Sequence, residues 1–184
     1  MSLFLQTMDE ILRHLKEYYQ STANPQKVKE VVQLLISSEK IFIYGAGRSG
    51  MVGRMFAQRL MHLNLTVFYL SETITPAFAA ADCLVVISGS GESISPKAIV
   101  EGAKKIGGKV VLLTANSDST IGHLADFIVV VKGQTKVSKQ EALAPFTSLF
   151  DITALVVLDS MTREIMNVLG KTEADIHRTH ATLE

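Results

Sequence analysis

Tryptophan is missing from this 184-residue chain, cysteine occurs once and proline four times, and Lys+Arg balance Asp+Glu at eighteen each. Each scarcity narrows the field. A single cysteine, Cys83, excludes an intramolecular disulfide and any site needing two thiolates; lying inside an apolar run, it reads as a small core residue. Zero formal charge, with no basic run, removes the electrostatic footprint of a nucleic-acid binder. No stretch approaches the roughly 18 apolar residues of a membrane span, and Met1 to Gln20 lacks the pattern of a signal peptide, so a cytoplasmic protein is expected. At 47% hydrophobic and 20% charged, the chain can bury one sizeable core, so a single domain over 1–184 is expected.

Glycine and serine, by contrast, are concentrated. Ser88-Gly89-Ser90-Gly91-Glu92-Ser93 follows the apolar run Cys83 to Ile87 and precedes a helix expected from Pro96 to Ile106. Two glycines let the backbone turn tightly with its N–H groups inward, three serines add hydroxyl donors, and the helix brings the positive end of its dipole. Such a loop suits a phosphate without needing a lysine, although Ser and Gly are also common turn residues. A second loop, Gly45-Ala46-Gly47-Arg48-Ser49-Gly50, follows the strand-like Lys40 to Tyr44 and is a G-x-G-x-x-G. With Glu72 near the place where a dinucleotide site wants an acidic residue, it leaves a nicotinamide oxidoreductase open. The serine loop argues against that reading, because two such loops at the ends of neighbouring parallel strands converge on one small phosphorylated ligand.

Helical spacing at Leu5 to Leu15 and Val28 to Ile36 predicts two N-terminal helices within 1–38. Strand-like and helix-like segments then alternate: strands at 40–44, 66–70, 82–88, 109–114 and 127–131, helices at 49–62, 96–106 and 120–125. Five nearly all-apolar strands separated by helices predict a parallel sheet covered on both faces, an α/β three-layer sandwich. Lys132 to Glu141 reads as a polar connector, and Phe146 to Val168 as a long helix opening the C-terminal part, 145–184. From Lys171 the chain reads as a polar, solvated tail; its His177, His180 and carboxylates nonetheless suit proton transfer, and no ligand pattern around the histidines suggests metal.

Together these segments resemble the sugar isomerase (SIS) domain family, and within it the 6-phospho-3-hexuloisomerases. The resemblance rests on the two loops and on Arg59-Leu60-Met61-His62-Leu63, Glu72-Thr73-Ile74-Thr75-Pro76, Leu143-Ala144-Pro145 and His180-Ala181-Thr182-Leu183-Glu184. It implies a five-stranded SIS domain with a flavodoxin-like arrangement. It also implies interconversion of 3-hexulose 6-phosphate and fructose 6-phosphate through a cis-enediolate, in the ribulose monophosphate route of formaldehyde fixation, with neither metal nor organic cofactor. Gly47, Arg48, Ser49, Ser88, Gly89, Ser90 and Ser93 would then bind the phosphate, Asp151 would be the carbon base and His180 would shuttle oxygen protons. Arg48 would stabilise the oxyanion; Glu92, His62 and Glu184 are secondary candidates, Glu92 as a loop anchor and His62 as a core or interface histidine. Where the family has glutamate this chain has Asp151, a carboxylate of shorter reach. The family further implies a homotetramer with active sites at subunit interfaces, and the apolar stripe of the first helix agrees with self-association. Isomerisation of an arabinose or heptose phosphate, and a non-catalytic sugar-phosphate-sensing SIS module, are the remaining alternatives.

Overall fold

The computed structural model describes residues 1–135 and 142–183. Its elements run α1 (Leu3–Ser21), α2 (Pro25–Ser37), β1 (Ile41–Gly45), α3 (Arg48–His62), β2 (Val67–Tyr69), β3 (Cys83–Ile87), α4 (Ile94–Ile106), β4 (Lys109–Thr114), α5 (Thr120–Leu124), β5 (Phe127–Val130), α6 (Ser148–Leu169) and α7 (Glu173–Thr179). All five strands pair in parallel in the order β2-β1-β3-β4-β5. This is the expected three-layer α/β sandwich, and its strand order places the topological switch between β1 and β3, where ligands of such sheets collect.

Strand residues alternate between two cores, as the period of a strand requires. Ile41, Ile43, Cys83, Val85, Ile87, Val111 and Leu113 face α2, α3 and α6, whereas Phe42, Leu84, Val86, Val110 and Leu112 face α4 and α5. Both sets are buried, so no strand can shift register by one residue without exchanging one apolar layer for another of different shape. Helix ends follow sequence signals: Asn24 accepts from the Lys27 N–H beside Pro25, and Ser119 from that of Gly122. Gly107 and Gly170 close α4 and α6 in the left-handed conformation.

The C-terminal tail departs from expectation. Residues 173–179 form α7, opened by a reciprocal capping box between Thr172 and Asp175 and docked by the buried Ile176. Arg178 pairs with Asp175 across one turn. A lone apolar side chain among polar neighbours gives no periodicity to read, yet seated against the α3 and α6 layer it holds the helix in place. Glu184 lies outside the described residues.

Candidate active site

Three helix N-termini converge beyond the carboxyl ends of β1 and β3. The first turn of α3 contributes Ser49, α4 contributes its N-cap Ser93 and Pro96, and α6 contributes its N-cap Thr147 and Phe150. Between them, Ser88, Gly89 and Ser90 form the floor of an open pocket with about 410 Å³ of empty space. Each N-terminus presents unpaired N–H groups and the positive end of a helix dipole, so the pocket favours an anion.

Each loop is packed too tightly for a side chain at one of its glycines, the first against its own backbone and the second against the start of α5. A Cβ on Gly50 would stand 2.5 Å from the Gly45 carbonyl oxygen, and one on Gly91, at φ +67°, 2.0 Å from the Ser119 hydroxyl. Ser88 is 4% exposed and its hydroxyl has no hydrogen-bond partner among the described residues. An orphan hydroxyl at the floor of a pocket costs free energy unless something fills it. Ser93 caps α4 without spending its side chain on the helix, and Ser90 accepts the Glu92 N–H at 3.3 Å.

Glu92 turns away from the pocket. Its carboxylate accepts the Thr120 N–H and the Thr120 hydroxyl, both at 2.7 Å, and these bonds hold it below the usual carboxylate range. It therefore ties the serine loop to the start of α5. Gly47 sits at the crest of the first loop, outside the pocket lining, where its φ of +59° supplies the turn into α3.

Asp151, in the first turn of α6, is 3% exposed and occupied by three donors. Ser49 Oγ donates to Oδ1 at 2.9 Å; Arg48 Nε and Thr147 Oγ1 donate to Oδ2 at 3.1 and 2.8 Å. A carboxylate offers about four acceptor positions, so one remains on Oδ1. Arg48 is the loose member, with its side chain 60% exposed. Arg48 and Asp151 border a second, apolar groove with Met51, Met55 and Leu155, while Ser49 and Thr147 belong to the serine pocket, so the ion pair forms the wall between the two.

His180 is elsewhere. It stacks on His62 with ring centroids 5.4 Å apart, at the far end of α3, and Thr179 donates its hydroxyl to the His62 carbonyl at 2.7 Å. Fifteen residues of helix separate Arg48 from His62, about 20 Å of rise. His62 is 3% exposed with Nδ1 unpartnered among the described residues; burial, reinforced by His180 and Arg59, pushes its pKa down.

Glu72, the candidate ribose acceptor of a dinucleotide site, is paired instead with Arg54, whose guanidinium lies over the Tyr69 ring; Tyr69 in turn donates to the Gly45 carbonyl. The acidic residue thus braces the first glycine loop from outside. Gln134, Thr135 and Thr147 also line the pocket; the first two fall in the segment expected as a polar connector and Thr147 in the expected long helix, and none was singled out from the sequence. For Gln134 and Thr135 the only signal is position: they follow the carboxyl end of β5, and sites of parallel sheets form on the side of the carboxyl ends. Among the described residues no three His, Cys, Asp or Glu side chains gather as a metal would require.

A description of SIS domains matches residues 34–158, from the end of α2 to the middle of α6. The chain belongs to the SIS domain family. A crystal structure described as that of a hypothetical protein is 40% identical, superimposes with a TM-score of 0.92, and is matched over 98% of this chain and 97% of that one. The 3-hexulose-6-phosphate isomerase of Bacillus subtilis is 32% identical over 98% of this chain and 100% of its own length. A solved structure from Methanococcus jannaschii, for which the function of 3-hexulose-6-phosphate isomerase was inferred, is 34% identical, covers 97% of both chains and has a TM-score of 0.81. The match to this SIS domain therefore spans the helices outside the core sheet as well as the sheet.

Proposed function

We propose that the protein isomerises 3-hexulose 6-phosphate and fructose 6-phosphate, as part of formaldehyde fixation by the ribulose monophosphate route. The observation carrying this reading is the anion pocket, three helix N-termini around a serine floor with an unpartnered Ser88 hydroxyl. The similarity to relatives named for this reaction supports the choice of substrate.

Ser88, Ser90 and Ser93 donate hydroxyls to the phosphate, and Gly89 lets its backbone come close. Ser49 has a single hydroxyl proton, already donated to Asp151, so toward the phosphate it serves through its backbone N–H in the first turn of α3. Moving the carbonyl from C3 to C2 removes a proton from C2, passes the O2 proton toward O3 through a cis-enediolate, and returns a proton to C3. Asp151 is the carbon base. A substrate oxygen draws the exposed Arg48 off Oδ2, which uncovers the carboxylate and at the same time stabilises the oxyanion. His180 handles the oxygen protons from a neighbouring protomer, because within one chain it lies a helix length away. The assembly is a homotetramer with its sites at subunit interfaces; exposed Leu3, Phe4, Met8 and Leu12 along α1 and Met51 and Met55 along α3 supply apolar contact surface. A charged sugar phosphate is an intracellular metabolite, which suits a cytoplasmic enzyme.

The deciding experiment incubates the protein with 3-hexulose 6-phosphate, chelator and deuterium oxide. Fructose 6-phosphate should form and carry solvent deuterium at C3. Chelator-sensitive turnover, or turnover without exchange, contradicts the mechanism.

A further inference from the structure

Helix α1 reaches across the molecule to hold the wall of the pocket. The Glu10 carboxylate accepts the backbone N–H of Leu143 at 3.1 Å through Oε1 and that of Ala144 at 2.7 Å through Oε2. One helical turn on, His14 Nε2 lies 3.0 Å from the Lys132 carbonyl oxygen. A carbonyl only accepts, so Nε2 carries the proton, and both the neutral tautomer bearing it and the imidazolium make this bond.

What these bonds hold matters. Lys132 is followed by Gly133, which packs so closely on α6 that a Cβ there would stand 2.4 Å from the Phe150 backbone nitrogen. Gln134 and Thr135 come next and line the pocket, Thr135 against the serine loop at Gly89. On the other side, Leu143 and Ala144 lead through Pro145 into Thr147, which lines the same pocket and donates to Asp151. Of α1 itself only Tyr18, near its far end, is buried. The middle of the helix, where Ile11 and Leu15 are only half-buried, is also joined to the body by polar bonds to backbone, two of them charge-assisted and aimed at consecutive N–H groups.

We infer that Glu10 and His14 are positioning residues: they clasp both ends of the β5-to-α6 connection, so that α1 sets the width of the phosphate pocket. This rests on the sugar-phosphate reading of that pocket. Neither residue touches substrate, so removing the clasp should weaken binding and spare the chemical step. In a folded Glu10→Ala variant the Kd for fructose 6-phosphate by calorimetry, and the KM, should rise about three- to tenfold, with kcat held within about twofold. Glu17→Gln, an exposed carboxylate on the same helix, should change neither. Amide hydrogen exchange at Leu143 and Ala144 should quicken in Glu10→Ala and not in Glu17→Gln. Should Glu10→Ala fail to fold, Glu10→Gln keeps the shape with one acceptor and should show the same direction, smaller. Unchanged Kd and KM in the folded variant overturn the inference, as does unchanged exchange at Leu143 and Ala144. If the wild-type protein binds neither fructose 6-phosphate nor inorganic phosphate, the pocket reading fails separately, and the exchange data still judge the clasp.

Discussion

The two ends of α3 carry the two candidate proton-transfer groups in opposite circumstances. At the N-terminal end, Asp151 is enclosed and supplied with three donors, beside a pocket built for an anion. At the C-terminal end, His180 is exposed and stacked on a buried histidine, and it lines neither the serine pocket nor the apolar groove beside it. One end has a binding site and a carboxylate without an imidazole; the other has an imidazole presented outward. A rigid helix about 20 Å long keeps them apart, so no side-chain rotation joins them within one chain. On the proposed reading, a single chain holds the halves of two sites, and self-association would complete them.

Breaking both ends at once gives the largest effect. Asp151→Asn keeps the shape and removes the base, and general base catalysis contributes about 10²–10⁴-fold, so kcat should fall at least a hundredfold. His180→Ala should lose activity to a similar degree. Mixing the two variants under subunit exchange should then revive activity, toward about a quarter of the wild-type sites by chance pairing. Verified mixed oligomers that stay inactive would show that both groups act from one chain, and an active Asp151→Asn would remove it as the base.

The next test addresses only the pocket end. Ser88→Ala deletes the orphan hydroxyl, and a hydrogen bond to a charged oxygen is worth about 1.5–3 kcal/mol, so kcat/KM should drop roughly ten- to a hundredfold. Thermal stability should hold or rise, because no partner among the described residues is lost. A change within about twofold would mean that the loop is only a turn.

The ends of α3 also differ in how far the sequence disclosed them. Apolar β-branched strands, the two glycine loops and the order of alternation are local patterns, so the sheet, its layers and the serine floor were readable in advance. Asp151 was readable as a residue type and its donors were not, since Ser49, Arg48 and Thr147 meet it only after α3 and α6 pack. The start of the long helix was readable near Pro145, but its meeting with the pocket was not, since Thr147 reaches it only once α6 packs beside α3. At the other end, α7 was missed because one isoleucine carries its docking, and the stack of His62 on His180 depends on a separation in sequence of more than a hundred residues.

Acid should loosen the tail end selectively. Burial lowers the pKa of His62 in the folded chain below the value near 6.5 expected when unfolded. The folded state therefore binds fewer protons, and the stability that neutral His62 contributes is complete above about 6.5 and lost as pH falls below it. Limited proteolysis between pH 7.5 and 5.5 should show cleavage after Lys171 or Arg178 becoming several-fold faster at low pH. In His62→Phe, which keeps a ring to stack on but cannot titrate, that acceleration should disappear. An unchanged pH profile would separate the stack from the docking of the tail.

The smallest effect is expected from Thr179, whose side-chain hydrogen bond joins the last turn of α7 to α3. Its hydroxyl has a choice, since the Ile176 and Asp175 carbonyls of its own helix lie 3.1 and 3.3 Å away and the His62 carbonyl 2.7 Å. Thr179→Val keeps the branched shape and removes the donor. A neutral hydrogen bond contributes about 0.5–1.5 kcal/mol net, so the equilibrium constant for docking should fall by a few-fold to about tenfold, an upper bound on the loss of docked population. If His180 works for a neighbour from this docked position, kcat should fall by no more than that factor while the KM, set at the other end of α3, stays constant. A rise in KM with kcat unchanged would mean that the tail serves substrate binding, and would undo the division of labour between the two ends.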